Sequence, residues 1–288
     1  MTSNITLFAL RNVKVFFRDR AAVVYSMFAA IIIIALYFLF LGDSIADSIP
    51  DMPNARIIAD SWAMAGLLAV VPVTSTLGAL GLMIQDKISG SIRDLSVSPL
   101  RTHEIVGGYV FSTFIIGIVM SSVALVFAEA YILSSGGSLL NATEFAKVLG
   151  IMLLSVVSGS AVMFVIALFV NSNNAFSAVN TIIGVMIGFL IGAYIPIGYL
   201  PSGMAAVAKI VPATHSASLF RQVMMERPME NMASMPPEDI LQFKLDMGVR
   251  LEWGDGLVSP TMSILVLAAV GVAFFVFATL KLSIKRKE

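Results

Sequence analysis

The 288-residue chain has no cysteine, two histidines and few charges. Without a thiol there is no disulfide framework, thiolate metal site or cysteine nucleophile. His103 and His215 lie far apart in sequence and lack the close spacing of a helical two-histidine motif, so no metal site is expected. Charged residues make up 12% of the chain, where soluble proteins carry about a quarter. That is too little charge to clothe a globular surface. Lys plus Arg and Asp plus Glu number 18 each, which cancels any overall pull toward nucleic acid. What is abundant is apolar: 58% of residues are hydrophobic.

The gaps between the charges carry the architecture. A helix needs roughly 20 apolar residues to cross the hydrocarbon of a bilayer. Uncharged stretches of that length separate Arg20 from Asp43, Asp60 from Asp86 and Glu104 from Glu129, and another runs from Gly256 to Leu280. The stretch from Val148 to Ala208 is too long for one crossing and is interrupted by Asn171-Ser172-Asn173-Asn174. Read as a tight turn, that interruption leaves two crossings. The expected fold is an all-α membrane protein forming a single transmembrane domain over residues 1–288. Its six crossings fall at about 21–42, 61–85, 105–128, 148–170, 175–195 and 256–280.

An even number of crossings puts both termini on one side. Eleven Lys and Arg fall on that side, at 11, 14, 18, 20, 87, 93, 101, 281 and 285–287, whereas the two short opposite loops hold only Arg56 and Lys147. The positive-inside rule therefore predicts a multi-pass protein of the cell (plasma) membrane with both ends cytoplasmic. The N-terminus is not read as a secretory signal, because its apolar run is a full spanning length and leads into Asp43 without a small-residue cleavage site. Ile5, Phe8, Ala9, Val13, Phe16 and Phe17 recur at helical spacing with Arg11, Lys14 and Arg18 on another face. This predicts an interfacial helix over 4–20, its aromatic side in lipid.

Function classes narrow accordingly. A rhomboid-type protease needs Gly-x-Ser-Gly, but Val156 stands where the first glycine of Ser158-Gly159 would be, and neither histidine lies inside a crossing. An ion-coupled secondary transporter would bury a charged group near mid-membrane, and here ionisable residues stand only at the ends of the crossings. Energy is expected to enter from elsewhere. Over 85–104, between the second and third crossings, Ile88, Ile92 and Leu95 form an i, i+4, i+7 stripe with Arg93 and Asp94 off it, and Pro99 ends the turn. A short amphipathic helix at that place is a docking surface for another protein.

This loop, with Asp86, Gly90, Leu95, Ser98-Pro99 and Gly107-Gly108, resembles the corresponding segment of type-2 ABC exporter permeases, the class that includes daunorubicin-resistance membrane subunits. It departs at Tyr109, where a lysine often follows the glycine, and at Asp86, where glutamate is commoner. The resemblance implies that Asp86, Ile88, Gly90, Ile92, Leu95 and Pro99 belong to a coupling loop seated on a cytoplasmic ABC ATPase. A second match follows the fifth crossing: Pro196 to Pro201, Ala205 to Val211, Pro212, and Thr214 to Met225. It resembles the paired re-entrant helices of these permeases, over 196–225 and before the last crossing. Prolines there leave two apolar pieces too short to span, with Thr214 able to cap the second. Pro196, Pro201, Pro212 and Arg221 are the expected outer-gate residues.

No Gly-x-x-x-x-Gly-Lys-Ser/Thr loop occurs, so no cofactor is expected in this chain and no catalytic residue is assigned. The resemblance implies ATP and Mg on a partner ATPase in two copies, together with a second permease, identical or homologous. It also implies a path flanked by helices two and five, where Thr74, Ser75, Thr76, Ser177, Asn180 and Thr181 offer polar groups. Ser155 on the fourth crossing is expected at an outer packing position. Gly184, Gly188 and Gly192 repeat every four residues, the spacing of close helix packing. The Met- and Pro-rich segment 226–255 is expected as an outer loop with a short helix after Pro236-Pro237. The expected function is ATP-driven efflux of amphipathic drug-like or lipid-like compounds, as in drug resistance; export of a polysaccharide or glycolipid is the alternative within the family.

Overall fold

The computed structural model describes residues 4–49, 54–91, 102–230, 232, 235–254 and 256–284. Six of its helical segments are long and apolar enough to cross a membrane. Helix α1 (Asn4–Arg18) turns at Asp19, whose carboxylate accepts the Ala22 amide and caps α2 (Arg20–Ser26). After a break at Met27, α3 (Phe28–Leu36) loosens into one π turn at Tyr37–Leu41 and continues as α4 (Gly42–Ser48). The first crossing thus runs from Phe28 to Ser48, further than the charge gap indicated, and takes Asp43 and Asp47 into its last turns.

The second, third and fourth crossings are α5 (Ala55–Ile88), α6 (Thr102–Ser134) and α7 (Ala142–Phe169). Asn141 and Glu144 form a reciprocal capping box at the start of α7, satisfying two amides that would otherwise be orphaned. The polar run does form a tight turn: α7 ends at Phe169, and Ser172 caps α8 (Asn173–Leu190), the fifth crossing. Beyond a 3-10 turn at Ile197–Tyr199 come α9 (Ser202–Ile210), α10 (Pro212–Met224) and α11 (Pro237–Asp246). A hairpin of two-residue strands, β1 (Glu252–Trp253) and β2 (Gly256–Leu257), precedes α12 (Pro260–Ile284). The hairpin is why the last crossing starts at Pro260 rather than at Gly256.

Helix α5 is the axis of the bundle. In its most apolar stretch 83% of residues are buried, against 11% for α8. It packs against α6, α7, α8 and α10 and against the first crossing. Where helices meet in lipid, packing rather than hydrophobicity drives association, and small residues permit it. The buried face of α5 is accordingly rich in Ala59, Ala63, Ala65, Gly66 and Ala69. The end of the bundle at which α1 lies and α12 finishes is the proximal end, and the opposite end the distal one.

Candidate coupling, path and gate surfaces

At the proximal end, one face of α1 packs against α6. Its buried residues are Phe8, Ala9, Asn12 and Phe16, and Phe8 meets Tyr109 of α6 edge to face with ring centroids 5.1 Å apart. Gly108 makes this possible, since a Cβ there would overlap the Phe8 ring. Leu7, Leu10 and Phe17 are left exposed. The aromatic side of the N-terminal helix is therefore divided: part packs on α6, and a smaller part faces outward.

The same contact organises the root of the loop that follows α5. Asp86, at the end of α5, accepts the Tyr109 hydroxyl at 2.6 Å and the Arg11 guanidinium at 3.0 Å on the same oxygen. Three elements are pinned by one carboxylate, in a buried setting where charge-assisted hydrogen bonds are strongest. The next residue, Lys87, donates to the carbonyls of Val170 at 2.8 Å and Leu168 at 3.3 Å, closing the C-terminal end of α7. Ile88 is 39% exposed, and Gly90 has φ +83° with open space around it, a left-handed turn that takes the chain off the helix. Ile92, Leu95 and Pro99 lie outside the described residues.

The polar residues assigned to a path do not share one surface. Thr74, Ser75 and Thr76 are buried in α5, and each hydroxyl bonds a carbonyl of its own helix; Thr76 reaches Pro72 O at 2.7 Å and Ser75 reaches Val71 O at 2.6 Å. Such back-bonding needs no substrate. Ser177 and Thr181 are exposed on α8 and Asn180 is half-buried. The ring of Phe176, between α8 and α5, fills the space over Gly81. Ile182, Val185 and Met186 stand exposed, so α8 presents an apolar face with hydroxyls and an amide on it.

The three repeated glycines differ from one another. Gly184 has nothing near it, Gly188 is needed because a Cβ would run into the Tyr194 ring, and Gly192 lies past the end of α8 with φ +71°. Only two of them share the helix, and the packing at Gly188 is within the chain. Ser155, expected at an outer packing position, is buried in the interior, hydrogen-bonded to Ser216 of α10 and to Ile151 O.

Toward the distal end, α10 is a polar helix with its polar side chains buried. Eleven of its 13 residues are buried, among them Thr214, His215, Ser216, Ser218 and Arg221. Each finds a partner, as buried polar groups must. Thr214 does not cap α10; Val211 occupies that position, and the Thr214 hydroxyl instead donates to Leu190 O at 3.0 Å. Ser218 donates to Val249 O at 2.9 Å. His215 lies between Lys209 O at 3.0 Å and Ser263 Oγ at 3.2 Å. Burial lowers its pKa below the ordinary histidine value, and because a carbonyl can only accept, Nε2 donates to Lys209 O.

Arg221 is fully buried and faces no carboxylate among the described residues. It donates to Gly192 O at 2.7 Å and Ile191 O at 3.2 Å, the carbonyls where α8 ends, and lies 5.0 Å from the centre of the Trp62 ring. The negative end of a helix dipole and an aromatic face take the place of an anion. Trp62 in turn donates to Met247 O at 2.8 Å, and Gly248 has φ +65°, where a Cβ would stand 2.8 Å from Arg221 Nη1. Pro196, Pro201 and Pro212 stand where the 3-10 turn, α9 and α10 begin. All three prolines therefore set helix starts, and Arg221 locks the turn after α8 to the distal segment.

The family described as ABC-2 family transporter protein matches residues 43–280. The chain belongs to that family. No curated protein is matched by it. It is thus a multi-pass membrane subunit of a transporter, and the ABC-2 assignment fits a non-enzymatic transport role. The match begins at Asp43, so α1 and most of the first crossing lie outside it. Several structural residues of this ABC-2 chain escaped the sequence reading. Asp60 accepts the hydroxyls of Tyr37 at 2.6 Å and Tyr131 at 3.1 Å and pairs with Arg56 at 3.2 Å. Arg227 grips Glu144 through two nitrogens, tying the segment after α10 to the start of α7. Tyr37 and Tyr131 flank acidic or basic positions in no local pattern, so only the fold reveals these pairings.

Proposed function

We propose that the chain is the transmembrane subunit of an ATP-driven exporter that moves amphipathic drug-like or lipid-like compounds outward. In this reading the proximal end is cytoplasmic, and the loop after Gly90 seats on a separate ABC ATPase. Two permeases and two ATPases make the working unit. The observation that carries it is the proximal elbow, where Asp86 fixes α1, α5 and α6 at the root of that loop, within a chain whose family is that of ABC-2 transporters. A rigid root is what a loop needs to pass a partner's motion into helices. The largely uncovered α8, with Asn180 half-buried beside exposed Ser177 and Thr181, is the face proposed to meet the second permease and border the path.

Ion coupling finds less support. Asp60 is fully buried, but it stands at the distal end of α5 and is paired with Arg56, so it is placed to hold helices together. In proteoliposomes holding the chain and its ATPase, a fluorescent amphiphile is expected to move only with hydrolysable ATP. Asn180→Leu is expected to alter the relative rates for different amphiphiles by about tenfold, because an amide in an apolar path is costly unless it holds water or a polar group. Ser122→Leu on α6 serves for comparison; Ser155 is unsuited, because its buried bond to Ser216 would be lost as well. Transport driven by an ion gradient without the ATPase would overturn the reading.

A further inference from the structure

The distal half of the bundle holds a cleft of about 960 Å³ that lies away from α5 and α8. Its walls are α7, α10, α11, the first turns of α12 and the segment that follows α10. Five charged side chains line it: Lys147 on α7, Glu226 and Glu230 after α10, Lys244 in the last turn of α11, and Arg250 just beyond. None of the five has a hydrogen-bond or ion-pair partner among the described residues, in contrast to Glu144 and Arg227 close by. The C-terminal end of α11 holds two of the cations together, since the amides of Val249 and Arg250 both bond Lys244 O, at 2.8 and 2.9 Å.

Below this charged rim the lining becomes apolar. Along α7 it passes from Lys147 through Ile151 to Leu154, roughly 10 Å at 1.5 Å per residue, and Ile264 continues it on α12. Both helices enter the membrane from the distal end, so the gradient runs from headgroup level toward the acyl chains. Met229 and Met232 add adaptable, unbranched side chains to the upper wall.

We infer that this cleft binds a zwitterionic phospholipid of the surrounding bilayer, one whose headgroup carries both a phosphate and an ammonium. The charges decide among headgroups. A purely anionic one would meet Glu226 and Glu230, and a purely cationic one would meet Lys147, Lys244 and Arg250. An uncharged one would desolvate five charges without compensation. A phosphate set among the three cations and an ammonium set against the carboxylates answer both signs at once. The cleft volume lies at the upper end of the range for small-molecule pockets, enough for a headgroup and the first part of its chains. The site is separate from the proposed path, and its binding needs no ATPase.

The test uses the full chain in nonionic-detergent micelles doped with a lipid carrying a photoreactive group in its tail, with adducts mapped by peptide mass spectrometry. Three probes are compared: phosphatidylethanolamine, phosphatidylglycerol and uncharged diacylglycerol. An apolar groove between α6, α7 and α12, lined by Phe111, Phe164 and Phe275, serves as the internal reference for contact with any chain. Phosphatidylethanolamine is expected to label the peptides holding Leu154 and Ile264 most strongly relative to that groove. The paired change Lys244→Ala and Arg250→Ala is expected to lower that ratio about tenfold. The paired change Glu226→Gln and Glu230→Gln is expected to shift preference to phosphatidylglycerol. Groove labelling unchanged in both variants shows that the bundle is intact. Equal labelling by diacylglycerol, a wild-type preference for phosphatidylglycerol, or a ratio that neither pair of changes moves would overturn the inference.

Discussion

Replacing Ile92 and Leu95 with Asp together is expected to abolish transport while leaving membrane insertion unchanged. Recovery of the co-expressed ATPase with the permease should fall more than tenfold. The sequence spacing of Ile88, Ile92 and Leu95 is that expected of one apolar stripe, and Ile88, the one of them among the described residues, stands exposed at the end of α5. Two carboxylates set against a partner's apolar pocket lose hydration worth several kcal/mol with nothing returned. Each 1.4 kcal/mol is a factor of ten in binding. Insertion is set by the crossings, which the substitutions do not touch. The readout is affinity capture of the permease followed by quantification of the ATPase, beside a transport assay. Wild-type recovery and wild-type transport would remove the loop from the mechanism.

Arg221→Ala is expected to be the most damaging single change to stability, by about 3 kcal/mol. It leaves the void of a long side chain in the last turn of α10 and strips two carbonyls, Ile191 O and Gly192 O, of their donor. A buried cavity of that kind costs roughly 2–5 kcal/mol, and each orphaned acceptor about 1–3 kcal/mol. Against this stands the relief of no longer burying a cation whose Nε has no hydrogen-bond partner. That relief is of several kcal/mol and is already offset in part by the end of α8 and the face of Trp62. For a chain of this size the loss corresponds to a fall in Tm of roughly 6–12 °C. Arg221→Met keeps most of the volume and should fall between Ala and wild type. Thermal unfolding in detergent decides it, and an Ala variant melting within a degree of wild type would show that the fork holds nothing.

The crossings were legible because one local property, the absence of charge over a spanning length, sets them. Asn171 to Asn174 was legible as a turn for the same reason, and Ser172 indeed caps the next helix. What could not be read were pairings between distant residues. Arg11, Asp86 and Tyr109 leave no period in the sequence, and Asp86 had been singled out only by its place in a resembled motif. The departure at Tyr109 became intelligible through the fold, since its hydroxyl is a donor to Asp86 and its ring is the seat of Phe8. The polar face of α10 misled in a different way. Thr214 stands where a cap could be, yet the turn starts at Pro212 and the hydroxyl serves α8. The glycine repeat counted Gly192 as helical because its spacing continued, while its positive φ ends the helix instead. Spacing reports a face only as long as the helix persists.

Sidedness tests the account most directly, because coupling, path and gate all depend on which end of the bundle meets the cytoplasm. A chain with no cysteine lets single cysteines be placed without background. Ser89→Cys, and Ser3→Cys next to the first residue of α1 in the sequence, test the proximal end, and Ser138→Cys and Met235→Cys the distal end. With a membrane-impermeant maleimide on intact cells, the distal pair should label at once and the proximal pair only after the membrane is opened. Labelling of Ser3→Cys in intact cells, or protection of Met235→Cys, would contradict the account.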